Sequence, residues 1–139
     1  MTPNSPNDLI SDDEFLIRRV PPGLMWQKPG PVPSSVNVEL REGESGLSAS
    51  RAAITKPESL LGQIGASREG GWLVIHAMVG ELRAFGLQIV SKPETHDAGH
   101  VEIMPGDVDL NRRSVRRALI KLFAVVTSND PDNSSIDST

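Results

Sequence analysis

The chain has no cysteine and no tyrosine among its 139 residues. The first absence excludes disulfides, thiolate chemistry and cysteine-ligated zinc. The second, with aromatics at 4%, leaves a core of Leu, Ile, Val and Ala around Phe15, Trp26, Trp72, Phe85 and Phe123. No apolar run approaches the roughly 18 residues that a membrane-spanning helix needs. The opening residues, MTPNSPNDLISDDE, have neither the basic start nor the apolar stretch of a secretory signal, so a cytoplasmic location is expected. A nucleophile elbow, a Walker loop and a dinucleotide fingerprint are all missing. No internal repeat is visible.

At 15.0 kDa the chain has room for one core. Its net charge of −4 argues against a general nucleic-acid binder, but the charge is unevenly spread. Seven of the 18 acids lie at the ends: Asp8, Asp12, Asp13, Glu14, Asp130, Asp132 and Asp137. The interior keeps 11 acids against 14 bases, a mild positive excess. The composition predicts a disordered acidic tail over 1–13, one globular domain over 14–127 and a disordered polar tail over 128–139.

Within that domain, Phe15 to Val20 reads as a strand stopped by Pro21 and Pro22. Residues 21–33 hold five prolines and two glycines, a long irregular connection. Val36, Val38 and Leu40 alternate with Asn37, Glu39 and Arg41, the pattern of a half-buried strand. Leu47 to Ser50 reads as a short strand. Thr55-Lys56-Pro57-Glu58 reads as the start of a short helix, with Thr55 or Lys56 at the cap, that ends near Gly62 to Gly65. Trp72 to Ala77 is a continuous apolar run suited to a central strand. Val79 to Phe85 reads as helix, capped by Gly86. Leu87 to Val90 and His100 to Met104 read as strands. Asn111 to Val126 reads as the longest helix, with Val115, Leu119, Leu122 and Val126 along one face. The expected fold is α+β: a mixed or antiparallel sheet of about five strands, with the C-terminal helix packed on it and one or two short helices.

Three groups of residues are candidates for function. Arg18 and Arg19 on the first strand, with Ser34 and Ser35 opening the second, form an anion site if the two strands lie side by side. Arg113, Arg117 and Lys121, spaced by four, make a cationic stripe on the last helix. Arg112 and Arg116 flank it. Basic residues near a helix start oppose the helix dipole, which favours an external acidic partner. With no aromatics interleaved for base stacking, nucleic acid is not the expected partner. His96 and His100, near Glu94, Asp97 and Glu102, carry metal-ligating chemistry but lie in a loop that imposes no geometry. The expected reading there is an exposed polar loop without a metal, and ligation through His96 and His100 is the alternative. His76, inside an apolar run, reads as a hydrogen-bonded core residue.

Four short motifs, Arg18-Arg19-Val20-Pro21-Pro22, Pro33-Ser34-Ser35, Gly46-Leu47-Ser48 and Gly99-His100-Val101, resemble the pattern of a group of small bacterial proteins. That resemblance implies a bacterial cytoplasmic protein and no particular activity. The order Arg18 or Arg19, then Ser34 or Ser35, then Glu102, is similar to that of the ADP-ribosyltransferases. This second resemblance implies an NAD-dependent enzyme, with arginine holding the dinucleotide, serine bracing the site and Glu102 acting at the ribose. The chain departs from that pattern at Ser34-Ser35, which is not Ser-Thr-Ser. It has His100 where an acid or amide usually stands two residues before the glutamate, and no tyrosine to stack on nicotinamide. The leading expectation is a non-enzymatic binding module, without a cofactor, for a small anionic ligand or a protein partner. The alternative is NAD-dependent ADP-ribosyl transfer.

Overall fold

The computed structural model describes residues 9–23, 25–26 and 32–126. The expected polar tail over 128–139, residues 1–8 of the acidic tail and much of the proline-rich connection lie outside the described residues. Six strands form one fully antiparallel sheet: β1 (Phe15–Val20), β4 (Leu47–Arg51), β5 (Leu73–Met78), β6 (Gln88–Ser91), β7 (His100–Met104) and β8 (Ala124–Val126). Their order is β6-β7-β4-β1-β5-β8. A small ribbon pairs β2 (Met25–Trp26) with β3 (Val32–Pro33). Three helices complete the fold: α1 (Pro57–Gly62), α2 (Val79–Phe85) and α3 (Arg113–Ile120). Among the described residues no helix is long and apolar enough to cross a membrane.

Side-chain alternation divides the sheet into two unlike faces. One carries Leu16, Val20, Leu47, Ala49, Ile75, Ala77, Val101 and Ile103, all buried. Val79 and Leu82 of α2, Leu119 and Ile120 of α3, and Val38 close over it as the main core. On the other face only part is covered. Leu60 and Leu61 of α1 pack against Ile17, Val74 and Val126. Burying one such leucine contributes about 1.5–3 kcal/mol. The part over β4 and β7 is left open, and its side chains are polar.

Two expected elements are different in the structure. Residues 36–41 do not form a strand. Ser35–Val38 is a 3-10 turn, because Asn37 folds back on Ser34: its backbone N–H and its Nδ2 both donate to the Ser34 carbonyl (3.1 and 2.8 Å). Asparagine commonly diverts backbone from a ladder in this way. The last helix also stops early. After Ile120 the chain tightens, with Phe123 N–H donating to the Ile120 carbonyl at 3.1 Å, and Ala124–Val126 returns as β8 beside β5. Val126 is buried as expected, but from the sheet. The sheet therefore has six strands where about five were expected, and a strand follows the last helix.

Residues 9–13, counted with the acidic tail from composition, make specific contacts. Ile10 joins the core. The carbonyls of Asp12 and Glu14 accept from Gly80 and Val79 (2.7 and 2.8 Å), two N–H groups at the start of α2 that have no side-chain cap. Asp12 also pairs with Arg83 at 2.6 Å. Gly86 ends α2 at φ 114°, a left-handed cap.

Candidate functional site

The open part of the second sheet face is the floor of a cavity of about 480 Å³. Strand register determines what stands on it. Ser48 lies opposite Glu102, and Ser50 opposite His100, on β4 and β7. All four side chains project to the same side, while Leu47, Ala49, Val101 and Ile103 project into the core. Arg19 of β1 borders the same floor.

Three walls rise around it. The α1 wall supplies Leu60, Gln63 and Ile64. The loop between β6 and β7 supplies Glu94, His96 and Asp97. Gln63 Nε2 ties these two walls together by donating to the His96 carbonyl at 3.3 Å. Asn37, Glu39, Arg41 and Glu44 make the third wall. Trp72 also lines the cavity.

The β6–β7 loop is held down by one buried carboxylate. Asp97 accepts from Ser50 Oγ (2.5 Å), Thr55 Oγ1 (2.6 Å) and the Gly99 N–H (3.2 Å). Gly99 must be glycine for this docking, since a Cβ there would sit 2.7 Å from Thr55 Oγ1.

The two arginines reach the cavity by different routes. Arg19 projects directly onto the floor, where its Nη1 donates to the Leu60 carbonyl (2.9 Å) and Gln63 Oε1 (3.3 Å). Arg18, its neighbour in the strand, starts toward the opposite side. The β1–β4 ladder pairs Leu16 with Arg51 and Ile17 with Ser50, and goes no further. The Arg18 guanidinium fills the place of the next rungs. It donates to the Ser48 carbonyl at 2.5 Å and to the Asn37 carbonyl at 2.6 Å. Its Nε is buried and has no hydrogen-bond partner among the described residues. Burial lowers the Arg18 pKa to about 10, against the opposing pull of Glu44 and Glu102. Burial also lowers that of Arg19, while Asp97 raises it.

Beside the arginines lies a hydroxyl–carboxylate–imidazole group. Ser48 Oγ donates to Glu102 Oε2 at 3.1 Å. His100 Nε2 faces the same oxygen at 3.3 Å, and its Nδ1 lies 3.0 Å from the Lys92 carbonyl. A carbonyl can only accept, so Nδ1 carries the hydrogen in that contact. Glu94 lies between the histidines, 3.3 Å from His96 and 3.9 Å from His100. No group of three His, Asp or Glu among the described residues is arranged to hold a metal ion.

The structure thus brings Arg18, Arg19, His96, His100 and Glu102 to one cavity. Ser34 and Ser35 do not line it; they are at the start of the 3-10 turn, where Asn37 donates to the Ser34 carbonyl and accepts from Arg18 on its own carbonyl. The serines of the cavity are Ser48 and Ser50. The sequence held a signal for them: in Leu-Ser-Ala-Ser-Arg and His-Val-Glu-Ile-Met the polar residues alternate with apolar ones. Arg113, Arg117 and Lys121 are exposed on α3, outside the cavity. Among the described residues none of the three makes a salt bridge. The group missed altogether is Arg51, buried on β4 and paired through Nε and Nη2 with both oxygens of Glu14, each at 2.8 Å.

No known protein family matches this chain, and no curated protein or solved structure matches it either. The fold class is α+β, in one six-stranded antiparallel sheet with three helices.

Proposed function

We propose that this chain is a non-enzymatic, cytoplasmic binding module that engages an anionic group, on a small ligand or on a partner protein, through Arg18 and Arg19. One observation carries the reading: both guanidinium groups line a single open cavity, and the buried Nε of Arg18 has no acceptor among the described residues. A buried donor without a partner costs about 1–3 kcal/mol, so the fold keeps Arg18 at this position at an energetic cost. The cavity's size falls in the range of small-molecule sites. The exposed stripe of Arg113, Arg117 and Lys121 offers an acidic partner a second contact. Titrating the full chain with inorganic phosphate at low and high salt tests the cleft. Binding that weakens with salt and is lost in Arg19→Ala supports the reading; absence of salt-sensitive binding overturns it.

A second reading is NAD-dependent ADP-ribosyl transfer. It is favoured by Arg19, Ser48 and Glu102, which border one floor from three adjacent strands, with Ser48 taking the position expected for Ser34 or Ser35. Release of nicotinamide from NAD by the protein, abolished in Glu102→Gln, would establish it in place of the first.

A further inference from the structure

The charge around the cavity is not that of a simple anion site. Three arginines line it, Arg18, Arg19 and Arg41, against five carboxylates. Asp97 is committed to holding the loop. The other four are Glu39, Glu44, Glu94 and Glu102. Among the described residues none of the three arginines makes a salt bridge with any of them. Arg18 and Arg19 give their hydrogen bonds to neutral oxygens instead. The cleft therefore keeps both signs of charge, with carboxylates in excess, and a singly charged anion on the arginines would add to that excess.

The unused acceptors are close to the arginines. Glu102 engages Ser48 and His100 through Oε2, and its Oε1 accepts no hydrogen bond among the described residues. Glu44 takes the Arg41 N–H on Oε1 at 2.7 Å, and its Oε2 accepts no hydrogen bond among the described residues. Both glutamates are near enough to Arg18 to influence its charge. From these positions we infer that the ligand of this cleft is a small zwitterion, its anionic group on Arg18 and Arg19 and its ammonium or guanidinium group on Glu102 and Glu44. This rests on the anion-binding reading and adds the class of ligand to it. Arg18 and Glu102 meet at one residue, the first on the Ser48 carbonyl and the second on its hydroxyl, so the two charges of the ligand are separated by a few bonds.

Calorimetric titration of the full chain with four probes tests the inference: phosphoethanolamine, inorganic phosphate, ethanolamine and ribose 5-phosphate. A charge-assisted hydrogen bond from the ammonium to the glutamates should make phosphoethanolamine bind about tenfold or more tightly than phosphate. Glu102→Gln should bring that ratio close to one, and Glu44→Gln, at an exposed position, should reduce it independently. Phosphate binding as tightly as phosphoethanolamine would overturn the zwitterion and leave the anion reading standing. Ribose 5-phosphate binding more tightly than phosphoethanolamine would overturn it in favour of hydroxyl recognition. Ethanolamine binding as tightly as phosphoethanolamine, or no binding of any probe, would overturn both.

Discussion

Ser48 and Glu102 face each other across β4 and β7, and the serine hydroxyl donates to the carboxylate at 3.1 Å. The carboxylate oxygen that receives it also faces His100. Replacing Ser48 by alanine removes a donor from an exposed position, so fold stability should change by less than about 0.5 kcal/mol. Zwitterion affinity should fall several-fold as Glu102 turns toward His100. Urea denaturation and calorimetry on the same variant separate the two effects.

Asp97 should matter far more to the fold. It is buried and accepts three hydrogen bonds, two of them from the hydroxyls of Ser50 and Thr55. In Asp97→Ala those donors lose their acceptor, at a cost of about 3 kcal/mol or more. Amide exchange over residues 92–99 should accelerate first, because this carboxylate is what holds that loop to β4. Protection that stays unchanged there would contradict the assignment.

The Arg51–Glu14 pair gives a prediction of a different form. Glu14→Gln leaves the Arg51 charge buried without its carboxylate, which typically costs about 3–5 kcal/mol. The double variant Glu14→Gln with Arg51→Met should be more stable than Glu14→Gln alone, since the charge goes with its partner. Chemical denaturation of the three proteins checks the order.

Arg18 makes the stability of the fold depend on alkaline pH. Burial lowers its folded pKa to about 10, well below the ordinary guanidinium value. Between these values the unfolded chain holds the proton more tightly than the folded one, so unfolding takes up a proton. The contribution of Arg18 to stability therefore rises as pH climbs above about 10 toward the unfolded value, and is lost as pH falls through 10. Relative to Arg18→Gln, the wild-type chain should gain stability between pH 8 and pH 11. A difference that stays flat would mean the guanidinium is better hydrated than its burial implies.

On α3, Arg113→Glu with Arg117→Glu should leave the fold within about 0.5 kcal/mol, since both residues are exposed. Binding to polyglutamate, measured by fluorescence anisotropy at low salt, should drop at least several-fold in the double variant if this stripe receives an acidic partner.

Much of this fold was legible in the sequence wherever a strand ends at a proline or a turn glycine. β1 stops at Pro21, β7 at Pro105, and Gly86 ends α2 where its position suggested. Local chemistry hid the rest. The alternation at 36–40 suited a strand equally well until Asn37 claimed the Ser34 carbonyl. Val126 satisfies a helical face and a strand face alike, and pairing with β5 decides between them. The site was half legible for a related reason. Alternation tells which residues share a face, so Ser48 with Ser50, and His100 with Glu102, could be grouped. Whether those two strands are neighbours, and which half of the sheet a helix leaves open, depends on contacts between residues some fifty positions apart. The consecutive arginines were misleading in one respect: neighbours in a strand point opposite ways, and they share the cavity only because the β1–β4 ladder stops short.

That interruption leaves residue 18 with two obligations. A planar fork can grip two carbonyls at once, whereas the single ammonium of lysine has no fixed geometry for doing so. Conserving the charge at this position would therefore not conserve the seam between β1 and β4, and whatever loosens that seam also reshapes the floor on which a guest would rest.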